Sequence, residues 1–140
     1  MSAICLAAGL LLAPVGEAVT LRWTHSIQKT LWEEDYRVVG RALIVDSARI
    51  RGTGAGMEVP DGAAFHDGAW HYRPALPPLP VVHLRHSPYV APYTLCAAGV
   101  CRSAPEWLPG LPDDAILSLQ PCPTAGGDDR APAKVVTMPR

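Results

Sequence analysis

The chain has 140 residues, a mass of 14.9 kDa and a formal net charge of −1, a length that suits one domain with a core of its own. The near-zero charge excludes the basic excess on which non-specific nucleic-acid binding depends. Gly 12 with Pro 15, set against 49% apolar residues, excludes a disordered chain.

Residues 3–15 (AICLAAGLLLAPV) are apolar but too short to span a bilayer. Without a basic flank or a small-residue cleavage site they read as a hairpin, with strand 3–7, a turn near Ala8-Gly9 and strand 10–15. A vestigial signal peptide is the competing reading.

The strongest alternation covers residues 19–38. Val19, Leu21, Trp23 and His25 alternate with Thr20, Arg22, Thr24 and Ser26, and Trp32, Glu34, Tyr36 and Val38 alternate with Leu31, Glu33, Asp35 and Arg37. A turn pairing Ile27 with Thr30 sets His25 opposite Trp32, Trp23 opposite Glu34 and Leu21 opposite Tyr36. Arg22 then faces Asp35, and Thr24 faces Glu33. This register separates an aromatic face from a charged one, and a slip of one residue mixes them.

Strand 41–50 follows, then a glycine loop, Gly52 to Glu58. Residues 63–66 and 69–73 form a hairpin around Asp67-Gly68, a favoured two-residue turn. Residues 74–80 (PALPPLP) are a stiff connector. Strands are expected at 81–86, 93–102 and 115–120, with a short helical turn from Ser103 in capping-box form. One β domain over 1–122 and a mobile tail over 123–140 are expected. Eight to ten short strands give an all-β fold, a small antiparallel β-sandwich or partly closed barrel.

Cys96 and Cys101 lie opposite one another if Ala98-Gly99 is a two-residue turn, where a disulfide or two reduced thiols are equally acceptable. Cys5 and Cys122 stand alone in sequence, and no second close cysteine pair exists for zinc. His66 and His71, like His83 and His86, are expected on opposite strand faces, so no metal site is assigned. No cofactor is expected. The glycine loop lacks a helix behind it, which removes a dinucleotide site.

Chemistry concentrates on the first hairpin. Glu34 on an apolar face needs a partner or a raised pKa, and His25 or Lys29 can supply the partner. The pair reads either as the floor of a ligand pocket under Trp23 and Trp32 or as a buried pair that fixes register. Ser26 points away from His25, and no G-x-S-x-G elbow occurs. The amides around Gly54 and Gly56, beside Arg51, suit either a backbone turn or an anion nest. Glu58 is a candidate partner for Arg49 or Arg51.

Three motifs carry a family likeness: His25-Ser26-x-x-Lys29-x-x-Trp32-Glu33-Glu34 with Tyr36-Arg37; Arg51-Gly52-x-Gly54-Ala55-Gly56-Met57-Glu58-x-Pro60; and Asp67-Gly68-x-Trp70-x-Tyr72-Arg73-Pro74. Together they resemble DUF1850, a small bacterial family commonly encoded beside fused permeases of TRAP transporters that use a TAXI-type solute receptor. The resemblance runs from about residue 4 to about residue 110, with Gln28 standing where the family pattern has Glu. It implies association with solute uptake by neighbourhood rather than by chemistry. Many relatives carry an N-terminal export or anchor segment that this chain mostly lacks, so either side of the membrane is open and a soluble protein, cytoplasmic or periplasmic, is expected.

The expected function is therefore a non-enzymatic accessory module. Its partner is a small organic solute, a TRAP permease or a solute receptor, and nucleic acid is excluded. The binding residues are Trp23, His25, Ser26, Lys29, Trp32, Glu33, Glu34, Arg51, Gly54, Gly56 and Glu58. One rival is a small hydrolase or isomerase with His25 and Glu34 as acid and base, helped by Glu33 or Glu58. Another is a structural subunit that docks on a permease.

Overall fold

The computed structural model describes residues 2–24, 30–51 and 61–123, and the backbone of 135–137. Twelve strands and one helical turn follow one another among these residues: β1 (Ile4–Ala8), β2 (Leu11–Gly16), β3 (Ala18–Thr24), β4 (Leu31–Val39), β5 (Ala42–Arg51), β6 (Ala64–His66), β7 (Ala69–Tyr72), β8 (Val81–His86), β9 (Thr94–Ala97), β10 (Val100–Ser103), α1 (Ala104–Trp107), β11 (Ala115–Pro121) and β12 (Val135–Thr137). They form a five-stranded sheet, β12-β8-β11-β1-β2, and a seven-stranded sheet, β10-β9-β3-β4-β5-β7-β6. The fold is thus an all-β sandwich rather than a barrel, and it holds more strands than the expected eight to ten. Pairing is antiparallel except for β12, which lies parallel to β8 and falls within the segment expected as a tail.

Alternation decides which side of each strand meets the core. Ile4, Leu6 and Ala8 of β1, Val82 and Leu84 of β8, and Leu117 and Leu119 of β11 face Val19, Leu21, Trp23, Tyr36 and Leu95 of the larger sheet, all buried. Each large aliphatic residue so covered contributes about 1.5–3 kcal/mol. In β5 the buried positions are Leu43, Val45, Ala48 and Ile50, a pattern that breaks strict alternation. A bulge resolves it: Asp35 pairs with Ser47 but Tyr36 pairs with Val45, so the extra residue Asp46 restores parity.

The β3–β4 register differs from the expected one by two residues. Trp23 lies opposite Trp32, Leu21 opposite Glu34, Arg22 opposite Glu33 and Val19 opposite Tyr36. An even shift keeps every side chain on its face, so the hydrophobic pattern did not discriminate between the two. The connection is longer than a tight turn, with Thr24 pairing with Leu31.

The β6–β7 and β9–β10 hairpins follow the turn chemistry read from sequence. Asp67 and Gly68 have φ of 51° and 77°, and Ala98 and Gly99 have φ of 50° and 79°, the left-handed pair that a type I′ turn requires. The helical turn is capped as expected, with the Ser103 amide donating to Glu106 Oε1 at 2.9 Å. Residues 74–80 form no strand, but Leu79 exchanges two backbone hydrogen bonds with Leu43, at 2.7 and 2.8 Å.

All four cysteines are bridged. Cys96–Cys101 spans the β9–β10 hairpin, with Cα atoms 4.0 Å apart. Cys5 and Cys122 do not stand alone, contrary to the reading from sequence. Antiparallel pairing of β1 with β11 sets Cys5 beside Gln120, the Cys122 amide donates to the Ala3 carbonyl at 2.8 Å, and the two cysteine Cα atoms lie 4.8 Å apart. That pairing joins the two ends of the described domain and leaves no local sequence signal.

Gly16 ends β2 where it meets the β9–β10 hairpin. A Cβ there would lie 2.8 Å from the Ala97 Cβ, and neither atom has a flexible arm to move. Gly16→Ala is expected to cost about 1–3 kcal/mol, as overpacking does, measured by urea denaturation. A loss below the error of the fit would show that the two strands separate freely.

Candidate functional site

The three sequence motifs come together at one end of the larger sheet. Leu31 pairs with Arg51 and Arg51 with Ala69, while Trp32 pairs with Ile50 and Ile50 with Trp70. Strands β4, β5 and β7 therefore carry one motif each, side by side. The segments 25–29 and 52–60 leave the strands at this same end. His25, Ser26, Lys29, Gly54, Gly56 and Glu58 lie in them, outside the described residues.

On the inner face the site is aromatic. Trp23 stacks on Trp32 with centroids 6.1 Å apart at 25°, and meets Tyr93 at 5.9 Å and 55°. Trp32 Nε1 donates to Thr30 Oγ1 at 3.0 Å. The Nε1 atoms of Trp23 and Trp70 are buried and have no hydrogen-bond partner among the described residues. Leaving a buried donor unmatched costs about 1–3 kcal/mol.

Glu34 shares this face and is 5% exposed. Tyr36 Oη donates to its Oε1 at 2.9 Å. Burial pushes the Glu34 pKa up to about 7, against the smaller opposing effect of the tyrosine hydrogen bond. The Tyr36 phenol is raised well above its ordinary range, first by burial and then by the neighbouring carboxyl. Tyr72, across β5 on the same face, is raised for the same two reasons.

The outer face is a ladder of arginines and carboxylates. Glu33, also 5% exposed, is approached by Arg22 Nε at 3.0 Å, Arg49 Nε at 3.4 Å and Arg51 Nε at 2.6 Å. The Arg22 Nε–H is not aligned for a hydrogen bond. Asp35 takes Arg49 end-on, Nη1 at 2.7 Å and Nη2 at 3.0 Å, and accepts from Ser47 Oγ and Thr20 Oγ1, each at 2.7 Å. Hydrogen bonding from Arg49 is the main reason that the Asp35 pKa falls to about 2. Among the described residues, three guanidinium groups stand against two carboxylates in this ladder. Arg51 hydrogen-bonds only through Nε among the described residues.

The expected binding set thus divides between two faces. Trp23, Trp32 and Glu34 lie inside, Glu33 and Arg51 outside. The predicted pairing of Arg22 with Asp35 is replaced by Arg22 with Glu33, and of Thr24 with Glu33 by Thr20 with Asp35, as the two-residue shift dictates. Arg22, Arg49, Ser47 and Thr20 were not singled out as site residues. The alternation of charges in β3, β4 and β5 was their only signal.

A concavity of about 360 Å³ lies farther along the outer face. Thr20, Asp35, Asp46, Cys96 and the turn at Ala98-Gly99 line it. The expectation that His66 and His71 point to opposite faces does not hold. A two-residue turn pairs His66 with Ala69 and Ala64 with His71, so the two histidines share a face diagonally, and their rings stack 3.7 Å apart at 6°. The described residues hold no cluster of three metal-ligating side chains.

Comparison with known families settles the relationship. Residues 19–103, more than half of the chain, match the family described as Domain of unknown function (DUF1850). The chain belongs to this family. No curated protein and no solved structure matches it significantly. The match to DUF1850 covers all three motifs and the seven-stranded sheet that brings them together. Among the described residues, no helix is long and apolar enough to cross a membrane.

Proposed function

We propose that this DUF1850 chain is a non-enzymatic accessory module, which binds a small organic solute at the motif-bearing end of the larger sheet and serves a TRAP-type transporter of the TAXI class. The observation that carries the reading is the cross-strand register, Trp32 with Ile50 with Trp70 and Leu31 with Arg51 with Ala69. Residues distant in sequence are gathered where, among the described residues, two indole donors stay unmatched and arginines outnumber carboxylates in the outer ladder. Such a mixture of apolar wall and few polar groups is what small-molecule sites use. Two disulfides and no free cysteine favour an oxidising compartment, hence the periplasmic side.

The acid–base alternative rests on Glu34, whose pKa near 7 suits a general acid. It ranks second because the carboxyl is closed beneath the sheet and already engaged by Tyr36. The transporter link rests on the family's genomic neighbourhood, as the resemblance implies.

The test is a thermal-shift screen of the full chain against amino acids and small carboxylates. A ligand present at 100 times its dissociation constant adds about 2.7 kcal/mol, a readily visible shift. One class should stabilise the protein and lose its effect in Arg51→Ala and Trp32→Ala, but not in Arg85→Ala on the other sheet. Silence from every compound, or a shift indifferent to Arg51 and Trp32, would overturn solute binding. A permease that co-migrates with the chain in detergent would then support the docking role.

A further inference from the structure

We propose that His66 and His71 form a surface site for a divalent transition-metal ion of the copper, nickel or zinc type. The site lies on the outer face beside the arginine ladder, where His71 pairs with Arg49 and Ala69 with Arg51, but it does not depend on the solute-binding reading. It is built by the β6–β7 hairpin, whose Asp67-Gly68 turn fixes the register that sets the two imidazoles on one face.

Hydrogen bonds determine which nitrogens are available. His66 Nδ1 lies 3.3 Å from Asp67 Oδ2, and His71 Nε2 lies 3.2 Å from the His66 carbonyl oxygen. The carbonyl and the ionised carboxylate are acceptors only, so each of those nitrogens carries the proton. The lone pairs remain on His66 Nε2 and His71 Nδ1, neither of which has a hydrogen-bond partner among the described residues. Metal-binding histidines show this same outer pattern, donating the second N–H to a carboxylate or a backbone carbonyl. The hairpin provides one of each.

Distance is also suitable. Imidazole nitrogens bind such ions at about 2.0–2.1 Å, so two donors roughly 3–4 Å apart lie in chelating range. The ring centroids lie 3.7 Å apart with planes 6° from parallel, so the lone pairs lie in nearly parallel planes and the rings must swing well out of the stack to point at one ion. His66, with its side chain 57% exposed, has room for such a turn. Two protein ligands leave the other coordination positions to water or to an exchangeable ligand. Imidazole favours copper, nickel and zinc, and the Irving–Williams order places Cu²⁺ first among them. Magnesium, which prefers oxygen ligands, is excluded.

The experiment is calorimetric titration of the untagged full chain with Cu²⁺, Ni²⁺ and Mg²⁺. One ion of Cu²⁺ or Ni²⁺ per chain is expected, with Mg²⁺ silent. His66→Ala and His71→Ala should each weaken binding by about tenfold or more, and Asp67→Asn, which loosens the His66 orientation, by about tenfold. Addition of Ni²⁺ should broaden the imidazole NMR signals of both residues first. Circular dichroism unchanged in the variants would exclude unfolding as the cause. Undiminished affinity in the His66→Ala/His71→Ala double variant would assign the ion to other histidines and overturn the proposal, as would the absence of any binding.

Discussion

Loss of the Cys5–Cys122 bridge is expected to lower stability by about 5 kcal/mol, the chain-entropy value for a loop of this length. The bridge spans 117 residues and ties β1, inside the five-stranded sheet, to the segment after β11. Cys96–Cys101 has a separation of only 5 residues, for which the same relation gives about 2 kcal/mol. Urea unfolding of Cys5→Ala/Cys122→Ala and of Cys96→Ala/Cys101→Ala against the parent measures both. Alanine is preferred because Cys5 is buried and a serine hydroxyl there would add its own burial cost. Dithiothreitol should remove both contributions in the parent and only the smaller, hairpin one in the Cys5→Ala/Cys122→Ala variant. A bridge 5–122 that costs no more than the hairpin bridge would mean that the two termini are held by sheet pairing alone.

Local chemistry was readable from the sequence wherever it decided the geometry. Asp67-Gly68 and Ala98-Gly99 specified their turns, and the second of these set Cys96 opposite Cys101, while the bridge between them stood level with two free thiols. Ser103 and Glu106 marked the helical turn. Alternation assigned faces correctly along β3 and β4, because burial of Leu21 and Trp23 admits only one parity. It did not assign register, since a shift of two residues preserves that parity and moves Trp23 from Glu34 to Trp32. The β6–β7 turn contained the face shared by His66 and His71 as well, because position 71 lies two beyond the partner of position 66.

Non-local pairing was not readable. The contact between β1 and β11 depends on sheet order, and nothing around Cys5 or Cys122 encodes it. The outer ladder has the same origin: Arg49 reaches Asp35 only because β5 lies beside β4, with a bulge that restores its parity. Glu33 and Glu34 are adjacent, similar in type and equally buried, yet one is surrounded by guanidinium groups and the other by aromatic rings. Strand parity separates them, and their neighbours then decide their electrostatics. The glycine-loop residues and His25 lie outside the described residues, so their part of the site stands as read from sequence.

Glu34→Gln is expected to raise stability above pH 7 by about 3 kcal/mol, the free-energy equivalent of moving a carboxyl from 4.5 to about 7. The folded state holds the Glu34 proton more tightly than the unfolded state does. Between pH 4.5 and 7 the native chain therefore keeps a proton that the unfolded chain has released, and stability falls as pH rises through this window. Below it both states are protonated, and above it both are ionised. Asp35 acts in the opposite direction and elsewhere: its lowered pKa stabilises the fold above pH 3.8, and that contribution is lost as pH falls toward 2. The two windows do not overlap, so the difference between parent and variant in a denaturation series from pH 4.5 to 8 isolates Glu34. Glutamine keeps the size and an oxygen that accepts from Tyr36 Oη, but it carries no charge to desolvate. Its stability should lack the Glu34 decline, so that the gap between variant and parent widens from pH 4.5 to 7. A constant gap would require a cation beside Glu34, from the segments at that end of the sheet, that offsets the burial. The same variant separates the functional readings, since an accessory module tolerates glutamine and gains stability, whereas acid–base chemistry at Glu34 would be abolished.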